Sequence, residues 1–295
     1  MEFLKKAIEQ AFGPKSTLID VIKANVGGMY EARSHEKVHA SDLTKSDFCP
    51  RQIALLDITK IKKKDEFIPT AMKMTYDVGH AVSDLARGEW FGQSVYGTWE
   101  CRTCGDVQTF TTKPQKHCPS LKKGCDWRYH EIEFVGYPYQ VSGSLDAIVD
   151  LGSPKLVVVE IKIMAVDQFE KLVAPLQEHR IRTNLYMRLI EDSNSIYKNR
   201  MNVHQGKVLY FSRGYGKKND DYGGEILPIK EYPVERDDQV LEPLLDKARV
   251  VNDWRTKKIM PAGVCPTSFV QTAKKCSVCT ACFSGKYPAA SALTL

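Results

Sequence analysis

The stretch GSLDAIVDLGSPKLVVVEIKIM, Gly143 to Met164, decides the fold. Its second half, Lys155 to Met164, is rich in Val and Ile and is entered through Gly152-Ser153-Pro154, so it reads as a strand buried on both faces. Glu160 and Lys162 nonetheless stand inside that strand, and because side chains alternate they share a face. The segment before it presents Asp146 after a Gly-Ser turn. An uncompensated buried ion costs several kcal/mol or shifts its pKa far from the ordinary range. These three groups therefore need one another, or a further charge.

An isolated E-x-K is most often a structural ion pair at the end of a sheet. Asp146 adds a second carboxylate, and two carboxylates converging with a lysine at one sheet edge make a site for a hard divalent cation, Mg²⁺ or Mn²⁺, with oxygen ligands from Asp146 and Glu160. Lys162 then orients or helps deprotonate a metal-bound water and steadies charge growing on a phosphate. The order Asp146, Glu160, Lys162 resembles the PD-(D/E)xK nuclease superfamily. That resemblance implies an α/β, restriction-endonuclease-like mixed sheet flanked by helices, and a metal-dependent phosphodiesterase acting on DNA.

Nine cysteines occur in clusters: Cys49 alone, then Cys101, Cys104, Cys118 and Cys125, then Cys265, Cys276, Cys279 and Cys282. The start MEFLKKAIEQAF has no apolar signal-peptide core, and no apolar run approaches transmembrane length. The expectation is a cytoplasmic protein without a membrane partner, whose closely spaced cysteines bind metal rather than form disulfides. The middle set, in WECRTCGDVQTF and HCPSLKKGCDWRY, suits a structural tetrahedral Zn²⁺ site in a ribbon too small to fold without metal. Reduced free cysteines, or His117 replacing one thiolate, are the alternatives. Arg102, Lys113, Lys116, Lys122, Lys123 and Arg128 surround it, interleaved with Trp99, Phe110, Trp127 and Tyr129. Charge plus stacking surface fits a nucleic-acid contact; a solvated basic face fits as well.

The outer set draws Cys49, in SDFCPRQIALL, together with cysteines more than two hundred residues later, in VCPTSFVQTAKKCSVCTACF. This arrangement resembles the iron-sulfur branch of the same superfamily, which includes CRISPR-associated iron-sulfur nucleases, RecB- and AddB-type nuclease domains and related phage exonucleases. The resemblance spans roughly residues 40 to 285. It implies a [4Fe-4S] cluster that clips the N-terminal helical segment to the C-terminal tail. Five cysteines compete for four places, because Ala273 stands where the branch has its nearer third cysteine. Cys49, Cys265, Cys276 and Cys282 make the expected set, with Cys279 the rival of Cys265.

A second departure concerns the helix TYDVGHAVSDLARGEWF. The branch places a metal-binding His four residues after a glycine, but Ser83 stands there after Gly79. His80 shares a helix face with position 83 and so is the candidate ligand, with Asp84 one turn on. A core-packed histidine is the alternative. In PLQEHRIRTNLYMRL, Arg182 occupies the place of the branch's Gln, with Tyr186 four residues on, and suits either a phosphate contact or a solvent-facing salt bridge.

At 295 residues, 43% hydrophobic, the chain can bury one moderate core plus a small module; its net charge of +6 and pI near 8.7 are compatible with an anionic partner. The pattern predicts helices over 2–12, 16–25, 50–57, 70–91, 166–173, 176–190 and 236–257. Strands are predicted over 129–137, 140–151, 155–163, 207–211 and 226–234, with weak points at 60–66 and 214–225. The domain reading is 1–98 N-terminal helical segment, 99–128 inserted zinc ribbon, 129–258 nuclease core and 259–295 cysteine-rich tail. Two functions remain: a DNA exonuclease on single-stranded ends, used in recombination or end processing with a helicase or recombination partner and phage-borne by resemblance, or a catalytically weak DNA-binding module of nuclease fold.

Overall fold

A computed structural model describes residues 18–30, 35–61, 63, 66–115, 118–120, 124–137, 139–214 and 227–289. The expected helix over 2–12, most of the 214–225 stretch, Lys116, His117, Lys122 and Lys123 lie outside the described residues. The strands, in chain order, are β1 (Gly28–Tyr30), β2 (Val38–His39), β3 (Glu66–Ile68), β4 (Val95–Cys101), β5 (Val107–Thr111), β6 (Trp127–His130), β7 (Ile132–Gly136), β8 (Val141–Leu145), β9 (Ala147–Val149), β10 (Leu156–Met164), β11 (Met201–Ser212) and β12 (Ile229–Glu235). The helices are α1 (Leu18–Val26), α2 (Ala40–Leu43), α3 (Pro50–Thr59), α4 (Thr70–Leu85), α5 (Val166–Lys171), α6 (Gln177–Glu191), α7 (Glu242–Lys257), α8 (Gln271–Lys275) and α9 (Cys279–Phe283).

The chain divides into two compact units, Met1–Arg33 with Lys63–Ala81, and Ser34–Lys62 with Val82–Leu295. The smaller contains α1, the antiparallel pair β1 and β3, and most of α4. In the larger, a seven-stranded mixed sheet runs β12-β11-β10-β9-β4-β5, with β6 also paired to β4, and a three-stranded sheet runs β2-β8-β7. The mixed sheet flanked by helices that the resemblance implies is present. β10 is interior, parallel to β11 and antiparallel to β9, and its residues Leu156 to Ile161 are all buried. A strand covered on both faces needs the near-continuous apolar run this one has.

Helix α6 lies across the sheet with Leu185, Met187, Leu189 and Ile190 fully buried. Close approach is made possible by Gly143, where a Cβ would stand 2.9 Å from the Tyr186 ring. Gly143 and Ser144 therefore lie within β8 and not in the expected Gly-Ser turn. Two strands expected to be continuous are each broken at one acidic residue. Glu131 separates β6 from β7, and Asp146 separates β8 from β9. At both points the chain passes between the seven-stranded and three-stranded sheets.

The ribbon shares this framework. β4 pairs first with β9 and then, further along, with β5 and β6, so the ribbon continues the central sheet. Trp99, Phe110 and Trp127 are 0%, 5% and 8% exposed, which corrects the reading of them as a stacking surface for bases. They are core: Phe110 stacks on Tyr197 at 4.0 Å under Arg200, and the Trp99 indole donates to the Thr111 carbonyl at 3.0 Å. Among the described residues, no helix is long and apolar enough to cross a membrane.

Candidate active site and cysteine centres

The alternation of β10 puts Glu160 and Lys162 on one face, and the β8–β9 crossover delivers Asp146 to them. Asp146 Oδ2 accepts the Ile161 backbone N–H at 2.8 Å and lies 3.5 Å from Lys162 Nζ. Lys162 Nζ also stands 2.6 Å from Glu160 Oε1. The three residues singled out from the sequence thus converge, but where two sheets part rather than at a free sheet edge, since β10 is interior.

Glu160 is fully buried, and Arg182 Nη1 donates to the same Oε1 at 3.0 Å. Its other oxygen, Oε2, is buried without a partner among the described residues. Burial, and then the neighbouring Asp146 charge, push the Glu160 carboxyl up to about 7 against the pull of Lys162 and Arg182. Burial works against the Lys162 charge, but Glu160 and Asp146 outweigh it and hold the ammonium above its ordinary range. A buried carboxylate with one orphaned oxygen, beside a second carboxylate that repels it, is a place where a further cation would be compensating. The donor set is all oxygen, which suits a hard divalent ion. Arg182 is committed to the carboxylate rather than facing solvent.

A third carboxylate, Glu131, escaped the sequence reading. Arg87, 6% exposed, donates through Nη1 to Glu131 Oε1 at 2.7 Å and to the Asp146 carbonyl at 3.3 Å, and through Nη2 to Asp84 at 2.7 Å. Burial and then Asp146 raise the Glu131 carboxyl above its usual range. Arg87 sits in a π-turn, Ala86–Trp90, that continues α4. The only local signal was an Arg in LARGEW, which ordinary helix periodicity does not mark as buried. His80 is exposed on α4, which excludes a core-packed histidine, and belongs to the smaller compact unit.

The ribbon thiols of Cys101, Cys104, Cys118 and Cys125 all lie within 4.8 Å of one another, the one such group found among the described residues. Tetrahedral Zn²⁺ with Zn–S bonds of about 2.3 Å places its sulfurs about 3.8 Å apart, so the four residues fit a single metal ion. The Cys104 backbone N–H holds the Cys101 thiol down to about 6, while burial and Cys101 push Cys125 up to about 12.

The outer cysteines are brought together as well. Cys49, Cys265, Cys276, Cys279 and Cys282 line one cavity with Asp47 and Lys275. No three of them are as close as the ribbon thiols. Cys49 precedes α3, whose Leu55 and Leu56 pack with Val278, Met260, Cys276, Cys282 and Tyr287, so the two ends of the larger unit meet here.

No protein-family model matches the chain, and no curated protein matches its sequence. Among solved structures it is similar to SSO0001, with 16% identity and a TM-score of 0.35 over 96% of this chain and 95% of that one. It is also similar to an alkaline exonuclease, LHK-Exo from Laribacter hongkongensis, with 14% identity and a TM-score of 0.40 over 75% of this chain and 89% of that one. The same exonuclease in complex with dAMP gives 13% identity and a TM-score of 0.41 over the same shares.

Proposed function

We propose that the chain is a Mg²⁺- or Mn²⁺-dependent DNA exonuclease acting on single-stranded ends, in recombination or end processing. The observation that carries this reading is the unpartnered Glu160 Oε2, buried beside Asp146 with Lys162 between the two carboxylates. Asp146 and Glu160 would hold the cation. The metal supplies Lewis-acid polarisation of a phosphate and activation of the attacking water.

The remaining work falls to the chain. Lys162 carries a fixed positive charge at the site, which orients a nucleophilic water and stabilises charge growing on the phosphate. Arg182 and Lys162 share Glu160 Oε1 and so direct its free oxygen away from themselves. The Ile161 N–H fixes Asp146. A structural zinc in the ribbon and a [4Fe-4S] cluster held by Cys49, Cys265, Cys276 and Cys282, with Cys279 competing for the place of Cys265, complete the proposal.

Anaerobically purified protein incubated with end-labelled single- and double-stranded DNA, in Mg²⁺, Mn²⁺ or EDTA, tests it. Metal-dependent release of nucleotides from single-stranded ends is the expected result. DNA binding without cleavage in either metal would select the binding-module reading instead.

A further inference from the structure

Arg51 is 6% exposed at the start of α3, yet among the described residues none of its acceptors is a carboxylate. Its Nη1 donates to the Pro261 carbonyl at 2.8 Å, and its Nη2 to the Tyr287 carbonyl and, at 3.5 Å, to that of Cys282. Its Nε donates to Cys282 Sγ at 3.2 Å. Space for this side chain is kept by Gly263, where a Cβ would stand 3.3 Å from Arg51 Cδ and 3.7 Å from Cys282 Sγ.

A buried guanidinium surrounded only by carbonyl dipoles is poorly compensated, because it has given up its hydration and gained no counter-charge. The remaining partner is sulfur. A thiol is a weak, neutral acceptor, whereas a thiolate or a thiolate-held cluster is an anion. The anion that Arg51 lacks is thus placed at Cys282, on the wall of the five-cysteine cavity. Hydrogen bonds to cluster sulfurs withdraw electron density and favour the reduced state, which raises a cluster's reduction potential.

We infer that Arg51 is the counter-cation of the thiolate-held centre, that it marks Cys282 as one of the four ligands, and that its N–H···Sγ bond raises the centre's reduction potential. This rests on the cluster reading above. It also separates two tasks of one side chain. The three carbonyl bonds tie α3 to the tail whether or not a cluster is present, while the sulfur bond acts on the cluster alone.

The test uses anaerobically purified holoprotein in EPR-monitored redox titrations. The midpoint should fall from wild type to Arg51→Lys, which keeps the charge but loses the planar fork, and fall further in Arg51→Met, which loses both. Cys282→Ala should bleach the protein, whereas wild-type iron content and an unchanged midpoint in Cys282→Ala would overturn the assignment. If the Arg51 variants do not fold, wild type labelled with ¹⁵N-arginine decides the question: pulsed EPR of the reduced centre should show coupling to one guanidinium nitrogen. A reduced cluster without that coupling, or an unshifted midpoint in Arg51→Met, overturns the inference while leaving the cluster in place. Absence of iron and sulfide, with zinc on the outer cysteines, overturns the cluster reading and the inference together.

Discussion

Asp146 Oδ2 accepts the backbone N–H of Ile161 at 2.8 Å, so the carboxylate at the sheet crossover is held by the strand that carries Glu160 and Lys162. The bond fixes one oxygen of Asp146 without using its charge, and preorganises the site before any ligand arrives. Asp146→Asn keeps an acceptor for Ile161 and removes only the charge; Lys162→Ala removes the site's ammonium. Each should lower DNA cleavage about a thousandfold or more, several kcal/mol of transition-state stabilisation, while far-UV circular dichroism is unchanged. Cleavage at the wild-type rate by Lys162→Ala would sink the assignment.

His80 is exposed on α4 with Ser83 on the same helix face. If it is a metal ligand, His80→Ala raises the Mg²⁺ concentration needed for half-maximal cleavage, and Ser83→His lowers it. A metal titration of His80→Ala that superimposes on wild type would remove His80 from the site.

Strand β10 and its charged pair were legible because two short-range effects act within ten residues: the period-two alternation of a strand and the cost of burying an ion. Glu131 was not, since His130-Glu131-Ile132 looks like any strand residue until Arg87, 44 residues earlier in the chain, folds over it. Strand β4 was missed because Gly97 and Glu100 interrupt its apolar run, and its pairing with β9 is a tertiary fact. The ribbon aromatics misled for the same reason. Interleaved charge and aromatics in a line of sequence do not say which face the sheet will cover, and Trp99, Phe110 and Trp127 turned inward.

Arg87 links Glu131, Asp84 and the Asp146 carbonyl, so it would act on the proposed metal site only through the residues it positions. Arg87→Lys keeps the charge and loses the fork that joins the three partners. We expect it to raise the metal concentration required for cleavage by tenfold or so, with smaller loss of rate at saturating metal, and to lower stability by about 1–3 kcal/mol. A rate loss that saturating metal does not relieve, with the metal requirement unchanged, would assign Arg87 to folding alone.

His179 connects stability to pH. Burial, and then the Lys162 and Arg182 cations, hold its imidazole down to about 3, and its Nδ1 lies 2.8 Å from the Tyr210 hydroxyl. Below pH 6.5 the unfolded chain takes up a proton that the folded one refuses until about pH 3, so stability falls as pH is lowered through that window. Asp146 opposes the shift only in part. The loss should reach about 2–3 kcal/mol by pH 4. Urea unfolding at pH 7 and pH 4.5 should show a steeper decline for wild type than for His179→Gln; parallel declines would rule the histidine out as the cause.

The ribbon thiols give the last prediction. Because β4 is both a ribbon strand and a neighbour of β9, metal loss at Cys101 should be felt in the central sheet, not only in the ribbon. Trp99 and Trp127 share a buried cluster with Cys101 and Cys118, and so report on it directly. Cys101→Ala should release about one zinc per chain, since a tetrahedral site with three thiolates binds far more weakly, while leaving any iron at the outer cysteines in place. Its tryptophan emission should shift to the red as the two indoles meet water, and its thermal midpoint should fall. Wild-type zinc content in Cys101→Ala, measured by atomic emission on the dialysed protein, would show that those four thiols do not hold the metal.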